Sequence, residues 1–299
     1  MNNANATPIH SGWIVTAILG GLGAACCWAA TSFCAQAASR RVGELSAFAW
    51  ASVFGLLLVL GPLVVSVASD TPSAATVRAL TLAGVMNVVG LVAQFYALRI
   101  GRVSVVVPIT SAEGAVAAIT AAVLGKPLSA VAWASLAAVI VGVGIAAWSD
   151  PGRVGTLENR DGSRPVLFAI LSALCFGVGL GVQGKAGQTG AIAIAIAPPT
   201  VMGALLVALP LSASRQLRSP RGALANLLAV AVVELLGFSC YIYGARDSIP
   251  IAAVLSAQYA TIALAVSVVV LRERLTHGQL FGYVAIAIGV AVLAATGTG

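Results

Sequence analysis

The sequence predicts an all-α membrane protein, with ten transmembrane helices arranged as two inverted five-helix repeats. Three observations predict it. The 299-residue chain is 60% hydrophobic and 8% charged, whereas a soluble domain carries about 25% charged residues. No aqueous fold hides that much apolar surface, so lipid must be its solvent. Apolar runs of bilayer-crossing length, about 20 residues, recur ten times. Finally, the stretch from Arg78 to Gly144 is present twice: moved forward by 147 positions, it meets Ala225 to Ala291 without a gap. Gly90 falls on Gly237, Tyr96 on Tyr243, Arg99 on Arg246, Leu124 on Leu271 and Gly142 on Gly289. Ser129 meets Thr276, and Asn87 meets Glu234.

The ten runs fall at 13–36, 45–68, 78–99, 103–124, 128–148, 165–186, 190–212, 222–244, 249–271 and 276–295. Between the fifth and sixth lies the longest hydrophilic gap, Ser149 to Arg164, with Asp150, Arg153, Glu158, Arg160 and Asp161. It divides the chain into a first repeat over 13–148, a linker loop over 149–164 and a second repeat over 165–295. The likeness extends weakly to the first run of each half, where Cys27-Trp28 resembles Cys175-Phe176. Five is odd, so a copied five-helix unit enters the membrane upside down, with a pseudo-two-fold axis in the membrane plane.

Lys and Arg set the orientation. Loops after odd-numbered runs hold twelve of them, among them Arg40, Arg41, Arg215, Arg218 and Arg221. Loops after even-numbered runs hold four: Arg78, Lys126, Lys185 and Arg246. The positive-inside rule places the odd loops in the cytoplasm of a bacterial-type inner membrane and both termini outside it. The first twelve residues hold no Lys or Arg, so no signal peptide is expected. The net charge of +7 is spread over short loops without interleaved aromatics, so no nucleic-acid partner is expected. Cys26, Cys27, Cys34, Cys175 and Cys240 lie in apolar runs, while His10 lies before the first run and His277 at the very start of the tenth. Neither disulfides nor a metal site is indicated, and no cofactor is expected.

Candidate chemistry rests on charge at depth. An acidic group near the centre of a span costs about 2.5–3.5 kcal/mol on insertion scales. Glu234 sits mid-way along the eighth run and Glu113 mid-way along the fourth. Helical spacing puts Phe238 and Tyr241 on the face of Glu234, with Gly237 alongside. The matching face of the third run carries Asn87 and Gln94, with Gly90 alongside. Inverted symmetry is expected to turn these two faces toward one midplane cavity. On the ninth run Tyr259 shares a side with Ser256, while Gln258, the partner of Ser111, points elsewhere. Trp28 in the first run either lines the cavity or packs. The expected substrate-binding set is Glu234, Glu113, Asn87, Gln94, Tyr241, Phe238, Trp28, Tyr259 and Gln258. Lys185 and Gln183 read as the end of the sixth run, the lysine snorkelling to the interface. Gly179, Gly181 and Gly184 form a G-x-G-x-x-G late in a spanning helix. Helix packing explains them better than a dinucleotide site, which needs a preceding strand.

These features resemble the drug/metabolite transporter superfamily, EamA-type branch. The resemblance is carried by Tyr243-Gly-Ala-Arg246, then Leu271-Arg-Glu-Arg-Leu-Thr276, then Gly282 and Gly289. The first copy departs from it, with Lys126 where the second has Glu273. The resemblance implies an exporter of small metabolites, with amino acids a common substrate class, as in YddG-type exporters. It also implies a central cavity between the halves and alternating access without ATP hydrolysis. Proton coupling stays open, as does the choice between monomer and homodimer. A passive channel or a translocator of lipid-linked or nucleotide sugars are alternatives. An intramembrane enzyme is disfavoured, because no apolar run holds Asp and the one His, His277, stands at the edge of the tenth, away from any partner base or metal ligand.

Overall fold

The computed structural model describes residues 12–101, 103–125, 128–148, 163–259 and 261–262, and positions 278, 281–282, 284–286, 288–289 and 292. These are helical or lie in short connections. Helix α1 (Gly12–Val42) runs six residues past its expected end. Arg40 and Arg41 occupy its last turn, where cations complement the carbonyl end of the helix dipole. Gly43, at φ 84°, stops it in a backbone region that favours glycine.

Helix α2 spans Glu44–Ser69 and α3 spans Ala74–Ile100, capped by Ser73. The Ser73 Oγ accepts from the Thr76 N–H at 3.1 Å. The fourth run is two helices, α4 (Val103–Thr110) and α5 (Glu113–Leu124). Helix α6 spans Ala130–Trp148 and α7 Arg164–Thr189. The seventh run comprises α8 (Ile192–Gly203), a π-helical turn over Ala204–Ala208, and α9 (Leu209–Ala213). Helix α10 covers Leu224–Ala245 and α11 covers Ile249–Ser256.

Among the described residues, seven helices are long and apolar enough to cross a membrane, and Ala130–Ile145 forms a shorter apolar one. These correspond to the first eight of the ten expected runs. The ninth is described only to Ile262, and the tenth only at separate positions. The full count of ten therefore lies outside the described residues.

The helix ladder changes at the α4–α5 break for a local reason. The Ser111 hydroxyl donates to the Pro108 carbonyl at 2.7 Å. That carbonyl would otherwise receive the Ala112 N–H, which instead reaches Ile109 at 3.2 Å. The copy behaves alike. The Gln258 amide takes the Val254 carbonyl at 3.1 Å, and the Gln258 N–H shifts to Leu255 at 3.1 Å. Side-chain competition for the i−4 carbonyl ends α4 and α11 at duplicated positions.

Packing crosses between the halves. Helix α1 lies along α10, α3 along α7 and α2 along α8. Gly237 meets Cys27 and Trp28, while Gly244 meets Ala17 and Gly20. Rising numbers on one helix thus meet falling numbers on the other, so the pair is antiparallel. Gly142 meets Gly282 and Ile286, while Gly289 meets Ser135 and Val139. These contacts are mates under the 147-residue shift, and they too run antiparallel. Small residues allow the approach: a Cβ on Gly20 would lie 2.6 Å from the Gly244 Cα.

The core is uneven along the bundle. Toward the α10 C-terminus, one apolar cluster joins α1, α2, α5, α7, α8, α10 and α11, with Leu180, Ala195, Tyr241, Ile242 and Ile249 at its centre. Toward the α10 N-terminus the core divides into separate peripheral clusters. One groups Ala38, Val42, Ala47 and Leu227; another groups Ala97, Val106 and Ala169.

Candidate functional site

The α4–α5 break makes Glu113 the first residue of α5, buried at 4% exposure. Glu234 lies mid-way along α10, half-buried. Their carboxyl groups are near enough to interact electrostatically. Tyr259, just past the second break, senses both carboxyl groups, and its hydroxyl lies within reach of Gln94 from α3 and Thr110 from α4. The Thr31 hydroxyl of α1 stands beside Glu234. Both halves of the chain thus supply the site, which sits mid-way along its helices.

Aromatic rings close one side. Trp28, 8% exposed, stands edge-on to Phe238 at 5.3 Å between centroids. It is also edge-on to Tyr259 at 6.3 Å, and tilted against Tyr241 at 6.2 Å. Trp28 Nε1 and Thr31 Oγ1 are buried without a hydrogen-bond partner among the described residues. Such atoms are uncommon in native folds and mark places where a ligand or water completes the network. Phe238 and Tyr241 are buried on the sealed side, whereas Gln94, Glu234 and Tyr259 are half-buried.

The polar groups of the remaining expected residues bond to other partners. Asn87 does not turn toward the Glu234 face. It packs against α7, and its Nδ2 donates to Ala83 O of its own helix at 2.8 Å and to Gln183 Oε1 of α7 at 3.2 Å. Gln183 Nε2 in turn donates to Ala195 O at 3.0 Å. The reason is the crossed packing: each third helix meets the first helix of the other half, so the two polar faces address different neighbours. Tyr241 is fully buried, and its hydroxyl donates to Leu180 O at 2.8 Å. Gln258 spends its amide on Val254 and accepts from Thr261 at 3.2 Å.

Two groups escaped the sequence reading. Gln183 is fully buried and joins α3, α7 and α8, although its nearness to Lys185 suggested a helix end. Lys185 is exposed and donates to Gln188 Oε1 at 3.4 Å. Thr31 reaches the site without any signal in composition, whereas Thr110 shares the helical stripe of Glu113. An available signal for Thr31 was its position one turn past Trp28. Away from the carboxylates, an apolar groove of about 370 Å³ lies between α3 and α7, lined by Val89, Val92, Tyr96, Phe168 and Leu171.

The EamA-like transporter family matches residues 15–148 and again residues 163–295. No curated protein matches the chain. One solved structure, described only as the crystal structure of a protein, superposes with a TM-score of 0.74. It covers 94% of this chain and 97% of its own at 16% identity, a likeness of fold alone. The family signature falls once on each of the two halves that cross-pack around Glu113 and Glu234, and on that ground the chain belongs to the EamA-like transporter family of the drug/metabolite transporter superfamily.

Proposed function

We propose that this protein is a secondary transporter that exports small amine-bearing metabolites, amino acids and related zwitterions among them, by alternating access. Membership of a transporter family supplies the general activity. The observation that carries the finer reading is the placement of Glu113, Glu234 and Tyr259 between antiparallel halves, beneath a sealed apolar roof.

The chemistry follows from the surroundings. A carboxylate in a low-dielectric chamber binds an ammonium group strongly, or carries a proton exchanged for it. Substrate enters from the side where Gln94, Glu234 and Tyr259 are half-buried. With the arginine-rich loops in the cytoplasm of the inner membrane, that side is the inner one. The two repeats are inverted, so rocking one against the other closes the inner side and opens the outer one around a fixed site. The breaks at Ser111–Ala112 and Ala257–Gln258 are the natural hinges, because their hydrogen-bond ladders are already interrupted.

Reconstituted vesicles test this reading. Labelled amino acid taken up faster when unlabelled substrate is inside identifies a carrier, because a channel gains nothing from substrate on the far side. Flux that is indifferent to internal substrate, or unchanged by Glu234→Gln, would overturn the proposal.

A further inference from the structure

The site formed by Glu113, Glu234 and Tyr259 holds acidic groups and, among the described residues, no basic one. Among the described residues, every Lys and Arg lies near a helix end or in a loop. Arg40 and Arg41 close α1, Arg78 lies in the opening turns of α3, and Arg99 closes it. Arg164 opens α7, and Lys185 is exposed near its other end. Arg246 lies past α10, where it donates to Gly187 O at 3.1 Å and Gly190 O at 3.2 Å. None lies at the depth of the two carboxylates.

The positive end of a helix is the other usual partner for an anion. Here the N-terminus of α5 is occupied by Glu113 itself, its first residue. Among the described residues, the neutral groups of the chamber are the hydroxyls of Thr31, Thr110 and Tyr259, the amide of Gln94 and the Trp28 Nε1–H. The Thr31 hydroxyl stands beside Glu234, and its lone pairs can receive an ammonium N–H there. The walls are aromatic: the rings of Trp28 and Tyr259 meet at 88°, and ring faces attract cations.

An ammonium group therefore finds two carboxylates, a hydroxyl acceptor and π-faces. A substrate carboxylate finds no basic partner among the described residues, and burying it unpaired is strongly unfavourable. Resting on the reading of this chamber as the substrate site, we propose that it selects organic cations, amines without a free carboxylate, over zwitterions with the same side chain.

The test uses the full chain purified in detergent and three ligands that share one phenyl group. These are 2-phenylethylamine (cationic), phenylalanine (zwitterionic) and 2-phenylethanol (neutral). Binding is followed by tryptophan fluorescence and by thermal stabilisation. The amine is expected to bind at least about tenfold more tightly than either of the others. Glu113→Gln and Glu234→Gln are each expected to erase that advantage over 2-phenylethanol. Equal or tighter binding of phenylalanine, or no binding of the amine, overturns the proposal, and this comparison on the unaltered chain needs no variant to fold. Counterflow in vesicles separates the two readings. Exchange that prefers phenylalanine sinks the cation preference and leaves the carrier standing. Preferential amine binding without exchange sinks the carrier and leaves the preference.

Discussion

The indole of Trp28 lies directly against the backbone of Gly237, so closely that a Cβ at Gly237 would come within 2.6 Å of Trp28 Nε1. Cys27 completes that contact, and Gly90 meets Cys175 and Phe176 in the same way. The Cys-aromatic pair in the first helix of each half thus docks on the duplicated glycine in the third helix of the other. The relationship fixes where the aromatic wall stands relative to Glu234, three residues earlier on α10.

Gly237→Leu should therefore separate α1 from α10 and tilt Trp28 out of place. Overpacking of this kind costs about 1–3 kcal/mol. Thermal unfolding in detergent should show a clear loss for Gly237→Leu. Gly61→Leu should show none, since nothing lies within 4 Å of a Cβ there.

The Asn87–Gln183–Ala195 chain ties α3, α7 and α8 together at depth. Gln183→Leu removes its middle member and leaves the Asn87 amide with only its own helix. Interhelical bonds in membranes average about 0.6 kcal/mol and reach about 1.7. A loss in that range, with substrate affinity unchanged, is expected from chemical unfolding combined with a binding titration. A collapse of binding without loss of stability would move Gln183 into the substrate site.

Thr31 tests the neighbourhood of Glu234 more gently than removing the charge does. Thr31→Val keeps the shape and deletes the hydroxyl, a change worth about 1 kcal/mol for one hydrogen bond. The half-saturation concentration for exchange should rise roughly fivefold with the maximal rate preserved. An equal loss of rate and affinity would point to a gating role.

The uneven core predicts asymmetric labelling. In a variant without native cysteines, a cysteine in place of half-buried Gln94 should react with a membrane-impermeant maleimide applied from the cytoplasmic side. One in place of fully buried Ile242 should resist reagent from either side. Reaction of the Ile242 position alone would reverse the assignment of the open face.

The side contacts opposite the roof make a fourth element that can be loosened. Arg41 Nη1 donates to Gly222 O at 2.6 Å, and Trp50 Nε1 donates to Arg218 O at 2.8 Å. Together they hold the α1–α2 junction to the loop before α10. Replacing Arg41 by Ala and Trp50 by Phe should speed labelling at the Gln94 position by several-fold, with unfolding temperature little changed, because exposed single bonds contribute only about 1 kcal/mol each.

Sequence alone determined the membrane class, the doubled unit and the depth of Glu113 and Glu234. All three depend on quantities a linear string carries: apolar content, repeat register and distance from a helix end. The breaks at Ser111 and Gln258 were not read from the string, although the two positions match, because what their side chains would bond was not legible. Tertiary structure decided which polar residues meet. Asn87 and Glu234 share a register but face α7 and α1, because each third helix packs on the opposite half. Helical periodicity tells which residues share a face; only the packing partner tells what that face touches. Gln183 was thereby placed in the interior beside Asn87, and Thr31 was brought to Glu234 from more than 200 residues away in the chain.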